Sequence, residues 1–308
     1  MSYEFRCGET LGDGLHRVCL EQLDRSIALA RGDKEAKDTP VHETRKCFKK
    51  TRAALRLVRK EIGRGLFRQQ DHCLRDVGRL ISEMRDAEVR LQTVRQLEGI
   101  NHRRGRGASR SLETIFILEL ENFMAAFAGW QIQVISMLKK VRTEIDGWRL
   151  DQFSAKQLRR AVQASYKRGR VALAEAKVRP SSEKFHELRR EAKVLCYQLR
   201  ILRPINPADL NTAANELRSL GELLGQAHDL SFLGERLRAE HGRANWQREG
   251  HKLLALIEVR QSDLQGDAAE LAEVFFAERP RDFGARLAAW LDDWGKTRSA
   301  SFAEALSP

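Results

Sequence analysis

The chain has 308 residues, enough for one large domain or two of ordinary size. Six prolines and 7% aromatic residues, amid abundant Leu, Ala, Arg and Glu, favour helices and argue against a sheet sandwich. A net charge of +12 suggests an anionic partner, whether nucleic acid, an acidic membrane surface or a phosphate polymer.

In chain order, the opening MSYEFRCGET lacks the apolar run of a secretory signal. The helical pattern begins over 9–31 and is interrupted by the polar connector RGDKEAKDTP. Thr39 and Pro40 supply an N-cap and a first-position proline for a helix over 40–62. Helices over 68–98 and 109–146 follow, separated by the basic connector NHRRGRGAS, which reads as a solvated loop. The apolar stretch from Phe123, FMAAFAGWQIQVISML, is broken by Gln131 and Gln133 and is too short to span a bilayer. The second half gives helices over 152–178, 182–203, 208–240 and 245–277, with a short one over 280–294. Pro180-Ser181-Ser182 starts the second of these, and RPINPAD separates it from the third. The five cysteines (Cys7, Cys19, Cys47, Cys73 and Cys196) form no C-x-x-C pair and read as reduced thiols. The expectation is a soluble, cytoplasmic, all-α protein.

The helix at 40–62 carries HETRKCFKKTRAALRLVRK, with eight lysines and arginines against one glutamate. On a helical wheel His42, Arg45, Lys46, Lys49, Arg56 and Lys60 share one arc, and Arg52 and Arg59 lie along its edge. Cys47, Thr51, Ala54, Leu55 and Val58 occupy the opposite side. The segment recurs as HELRREAKVLCYQLRILRP from His186, at an offset of 144, with seven of nineteen positions identical. There His186, Arg189, Arg190, Lys193 and Arg200 share one face, and Leu188, Leu195, Leu199 and Leu202 the other. LRDVGRLISEMRD from Leu74 likewise matches LRSLGELLGQAHD from Leu217, aligning Gly78 with Gly221 and Asp86 with Asp229. Two matches in the same order imply duplicated halves, 9–150 and 151–296, each a four-helix bundle. A charge run is usually a solvated face, but solvation alone would accept glutamate on these rungs. Such a ladder rises about 25 Å and can touch several successive phosphates. His42 and His186 sit in first turns, where free N–H groups and the helix dipole also attract anions.

These two segments, with LRDVGRLISEMRDAEV and SYKRGRVALAEA beside them, resemble the CHAD family, the conserved histidine α-helical domain, over residues 9 to 295. The resemblance implies two four-helix bundles related by pseudo-two-fold symmetry, with a basic channel between them and a short C-terminal helix. Family members bind inorganic polyphosphate and gather on polyphosphate granules. Many also carry a CYTH triphosphatase domain, which is not expected here because few residues precede the first helix. Carried over by position, the ligand residues are His42, Arg45, Lys46, Lys49, Arg52, Arg56 and Arg59, with His186, Arg189, Arg190, Lys193, Tyr197, Arg200 and Arg203 in the second copy. Two departures stand out: Cys196 replaces a frequent basic residue, and Ala53 replaces the first-copy counterpart of Tyr197.

Asp86 and Asp229 are expected to hold arginines of a neighbouring helix. Tyr166, Lys167, Arg168 and Arg170 form a second-rank basic cluster. No P-loop, nucleophile elbow or H-E-x-x-H pattern occurs, so no enzyme activity, cofactor or metal is expected. The partner expected is inorganic polyphosphate, with other polyanions admitted by charge, and neither a membrane nor a specific nucleic acid. Non-specific nucleic-acid binding is the alternative, though no aromatics interleave the rungs for base stacking. A histidine-phosphotransfer role is the more distant one.

Overall fold

The computed structural model describes residues 3–33, 39–100, 106–126, 129–239 and 247–305. Among these residues all regular structure is helical, and no helix is long and apolar enough to cross a membrane. The first part of the chain forms α1 (Leu11–Arg31), α2 (Pro40–Leu57), α3 (Arg64–Leu80), α4 (Ser82–Ile100), α5 (Arg106–Ala126) and α6 (Trp130–Asp146). Then come α7 (Ala155–Val178), α8 (Ser182–Leu202), α9 (Pro207–Ala239), α10 (Gln247–Phe275) and α11 (Pro280–Ala305). A 3-10 turn at Arg203–Ile205 joins α8 to α9.

Several boundaries differ from the sequence expectation. The helix expected over 68–98 is two helices, divided at Ile81. Ser82 donates its hydroxyl to the Arg79 carbonyl at 2.8 Å, satisfying backbone freed by the break. The helix expected over 109–146 also divides, because Gly129 adopts a left-handed conformation (φ 95°) that stops continuous helix there. The α2 helix ends at Leu57 rather than near residue 62, so Arg59 falls beyond it. The C-terminal helix is 26 residues long and not short. Of the expected connectors, residues 34–38 and 101–105 lie outside the described residues, and α5 begins at Arg106 within the expected basic loop.

The helix starts follow the capping chemistry. The Thr39 side chain accepts from the His42 backbone N–H at 3.2 Å, with Pro40 in the first turn. Ser181 accepts from the Lys184 N–H in the same way, and Ser154 forms a reciprocal capping box with Gln157.

α2 packs on α1, α3 and α8, and α8 packs on α2, α7 and α9. Phe48, Ala53, Ala54, Leu55 and Leu57 of α2 are buried in one core with Leu188, Leu195, Leu199 and Leu202 of α8. At roughly 1.5–3 kcal/mol for each large apolar side chain, this burial fixes which faces of α2 and α8 remain for polar contacts. Gln198 of α8 donates to the Ala53 carbonyl of α2 at 3.1 Å inside the seam. The N-terminal segment stitches the same pair together: Tyr3 donates to the Lys50 carbonyl, and the Phe5 N–H to the Ile201 carbonyl, both at 2.9 Å. α4 and α5 pack on each other and lean on α9 and α10, where Leu91, Val94 and Phe116 join Leu230, Leu233 and Ile257 in a smaller core.

Gly12 marks the tightest approach between α1 and the segment joining α6 to α7. A Cβ there would lie 2.3 Å from the Leu150 carbonyl oxygen, and backbone cannot move aside cheaply. Gly12→Ala is expected to destabilise the fold by about 1–3 kcal/mol in denaturant unfolding. Gly65→Ala, where a Cβ meets nothing within 4 Å, is the control and should be neutral or slightly stabilising.

Candidate functional site

The polar faces of α2 and α8 meet over a cavity of about 420 Å³, completed by α4 and α9. α2 contributes His42, Arg45, Lys46, Lys49, Arg52 and Arg56; α8 contributes His186, Arg189, Arg190, Lys193, Val194 and Tyr197. From α4 come Arg85, Asp86, Val89 and Arg90, and from α9 His228, Asp229 and Phe232. Eleven of the fourteen ligand residues drawn from the family resemblance therefore line one cavity. The other three lie off it. Arg59 is exposed beyond α2, with its guanidinium 5.0 Å from the Phe67 ring centre. Arg200 is exposed on α8, and Arg203 pairs with Glu4.

The cations divide into two groups. Those of the first group are tied to carboxylates. Lys46 pairs with Glu43 at 3.1 Å, and Arg52 with Asp71 at 2.7 Å. Arg56 meets Glu191 at 3.3 Å, and Arg190 pairs with Glu187 and, at 3.5 Å, with Glu191. Arg85 pairs with Glu88 at 3.0 Å, and Arg90 with Glu119 at 3.2 Å. In contrast, Arg45, Lys49, Arg189 and Lys193 form no ion pair among the described residues. These four are two matched rungs of the sequence repeat.

Their electrostatics follow from that arrangement. Burial pushes the Lys49 ammonium down to about 7, and Arg189, Arg45, Lys193 and Arg85 push in the same direction. Arg45, Arg189 and Lys193 are lowered as well, chiefly by burial. The Nε atoms of Arg90 and Arg189 are buried and have no hydrogen-bond acceptor among the described residues. An unmet charged donor of this kind costs about 1–3 kcal/mol. Arg45 donates to the Gly78 carbonyl at 2.7 Å, a neutral acceptor that orients the guanidinium without cancelling its charge.

Two of the histidines are disfavoured as cations here. The His186 and His228 rings are 4.4 Å apart between centroids. Burial and neighbouring cations lower His186, while burial and then His186 push His228 down to about 4. Tyr197 is pushed up to about 12, first by burial, and remains a neutral phenol. Asp86 interacts with Arg45 and Asp229 with Arg189, yet burial outweighs these attractions and raises both carboxylates. The aspartates line the cavity, and neither forms the expected ion pair with an arginine among the described residues.

Sequence reasoning missed Glu191, Arg90, His228 and Phe232. His228 was accessible through the repeat, since it aligns with Arg85 immediately before the matched aspartates. Within the second-rank cluster, Arg168 pairs with Glu191 at 2.9 Å. Tyr166 instead belongs to the core: it stacks on Phe283 at 4.2 Å and donates to the Phe275 and Glu278 carbonyls.

An all-helical fold thus brings cations from two matched helices together around one cavity. The CHAD domain profile matches residues 15–238, and the chain belongs to the CHAD domain family. No curated protein matches it in sequence. Two solved structures share the fold. One is the CHAD domain from the plant Ricinus communis, with a TM-score of 0.61 and 16% identity, covering 91% of this chain and 96% of that one. The other is PptA from Streptomyces chartreusis, with a TM-score of 0.64 and 14% identity, covering 87% and 99%.

Glu191 is the buried carboxylate that gathers Arg56, Arg168 and Arg190. Burial alone would raise it, but Arg56 and Arg168 outweigh burial and hold it below the ordinary glutamate value of 4.5. Its folded pKa being depressed, its contribution is present above 4.5 and is lost as pH falls through the folded value. Glu191→Gln should therefore lower stability at neutral pH by about 3 kcal/mol, leaving Arg56 and Arg168 without their charge partner. The deficit against wild type should shrink as pH falls below 4.5 in chemical denaturation.

Proposed function

We propose that this protein binds inorganic polyphosphate in the cavity between α2 and α8. In this reading the chain is two duplicated units, 9–150 and 151–296, each of four helices by sequence with two of those in the first divided, related by a pseudo-two-fold axis through the α2/α8 seam. Arg45, Lys49, Arg189 and Lys193 engage successive phosphates, while Lys46, Arg52, Arg56 and Arg190 contact the chain from carboxylate-held positions. Arg85 and Arg90 add charge from α4. The role is binding rather than catalysis, with association to polyphosphate granules following from the ligand. The observation that carries the reading is the set of four converging cations, three of them half-buried, without an ion-pair partner among the described residues. A fold keeps such charge only at a loss of stability, and a flexible polyanion supplies the missing counter-charge.

The decisive experiment is competition for labelled polyphosphate by RNA, DNA and tripolyphosphate. Long polyphosphate should bind most tightly, with affinity falling steeply as salt rises, by analogy with counterion release from nucleic acids. Arg45→Glu with Lys49→Glu, and Arg189→Glu with Lys193→Glu, should each lower affinity by at least about a hundredfold, each removing two central contacts of about 1.5 kcal/mol or more. Single-stranded RNA of equal charge binding as well as polyphosphate overturns the reading in favour of a non-specific nucleic-acid binder.

A pH profile tests which group carries proton linkage. The expectation from sequence would place it on His42 and His186, because an ordinary histidine titrates near 6.5. The cavity electrostatics assign it to Lys49, whose value of about 7 lies at neutrality. Below 7 Lys49 is charged in the free protein; above 7 a bound polyanion must recruit a proton. Affinity should then be highest below 7 and fall by at most about tenfold per pH unit above it. Lys49→Arg should flatten that limb, because arginine keeps its charge. His42→Ala with His186→Ala should leave the slope in place.

A further inference from the structure

The polar space does not end at the central cavity. A second hollow of about 210 Å³ lies in the crevice between α2 and α3, and Arg45, Lys49 and Arg52 line both. Its outer lip is formed by Arg75 and Arg79, whose side chains are 51% and 71% exposed. The crevice exists for two local reasons. The helix breaks at Ile81, and Gly78 lines the opening with no side chain of its own. A Cβ at Gly78 would meet nothing within 4 Å.

The corresponding place on the other half is filled. At Gly221, which aligns with Gly78, a Cβ would lie 3.0 Å from Lys193 Cε. At Gly225, one turn on, it would lie 3.0 Å from Arg189 Nη2. α9 runs unbroken past both positions. Thus Lys193 and Arg189 lie over α9, whereas on α3 the matched glycine opens onto free space bordered by exposed arginines.

From this asymmetry, and resting on the polyphosphate reading above, we infer that the α2/α3 crevice is the outlet for the ligand. A polyphosphate chain longer than the central cavity leaves between α2 and α3 and runs over Arg75 and Arg79. The phosphate oxygens pass from cations shared by the two hollows to the two at the lip, so the path of positive charge is continuous. Asp71 holds Arg52 and Arg75, at 2.7 and 2.5 Å, and so keeps cations at both ends of the crevice in place.

The test uses the full-length protein and compares the affinity ratio of long-chain polyphosphate to tripolyphosphate. Comparing this ratio between variant and wild type cancels the statistical advantage that any long chain has. Gly78→Leu grows a side chain into the crevice at a position with room for its Cβ, and leucine is the better helix former. Arg75→Gln with Arg79→Gln removes charge at the lip and leaves the Arg52–Asp71 pair in place. Both variants should lower the ratio about five- to tenfold, as expected for losing a few screened phosphate contacts. Arg218→Gln, the counterpart of Arg75 on α9, should leave it unchanged. An unchanged ratio in both crevice variants, with wild type still preferring long chains, overturns the outlet. So does a loss confined to the glutamine pair, which places the contact on the outer surface instead. Failure of wild type to bind either polyphosphate overturns the binding reading itself, and the outlet with it. Circular dichroism of each variant separates these outcomes from loss of fold.

Discussion

Four cations meet across the α2/α8 seam with no carboxylate at ion-pair distance among the described residues, and much of the surrounding structure follows from holding them there. Like charges repel by about 1 kcal/mol at 4 Å in water, and several-fold more where water is partly excluded. That repulsion is visible in Lys49, whose ammonium is pushed to about 7 by burial and by three neighbouring arginines and a lysine. The opposing force comes from the other side of the same helices. Ala53, Ala54, Leu55, Leu188, Leu195 and Leu199 are all fully buried, so neither helix can rotate its charge outward without exposing its core face. The apolar stripe is what aims the cations.

The carboxylates around the cavity serve geometry rather than neutrality. Glu43 and Asp71 each hold two cations, and Glu191 holds three. They sit behind the arginines and lysines, so they fix guanidinium and ammonium positions while the cavity-facing edges keep their donors. Asp86 and Asp229 differ, because they line the cavity and burial disfavours their ionised form.

The helical class, the buried stripes of α2 and α8 and most of the cavity lining were legible in the sequence, because each rests on helical periodicity. Position i+3 or i+4 on one helix tells where Arg45 and Lys49 point, whatever packs around them. The helix breaks at Ile81 and Gly129 were not legible. A single serine hydroxyl bonding its backbone, or a left-handed glycine, one of four among the described residues, carries no periodic signal. Glu191 was missed for a different reason. It is a glutamate on a helix rich in charge, and only the three-dimensional meeting with Arg56 and Arg168 separates it from a solvated residue. Arg59 fell outside the cavity because α2 stops at Leu57, and a wheel assumes the helix continues.

The inequality of the two copies also has a residue-level cause. Arg56 and Arg200 are aligned in the repeat, yet Arg56 lines the cavity while Arg200 is exposed. Glu191 of α8 reaches across the seam and holds Arg56. Its counterpart on α2 is Cys47, a buried thiol that offers no charge to hold Arg200. The next rung repeats the pattern. Arg52 is held into the cavity by Asp71, whereas the matched Cys196 is buried and donates weakly to the Ala214 carbonyl at 3.4 Å. One lost acid and one lost arginine thus shift charge toward α2, even though the backbone match between the two helices is retained. The central rungs differ: Arg45, Lys49, Arg189 and Lys193 all line the cavity, and none is held by an ion pair among the described residues. Side chains positioned by packing and a backbone carbonyl tolerate divergence around them better than side chains positioned by a reciprocal ion pair.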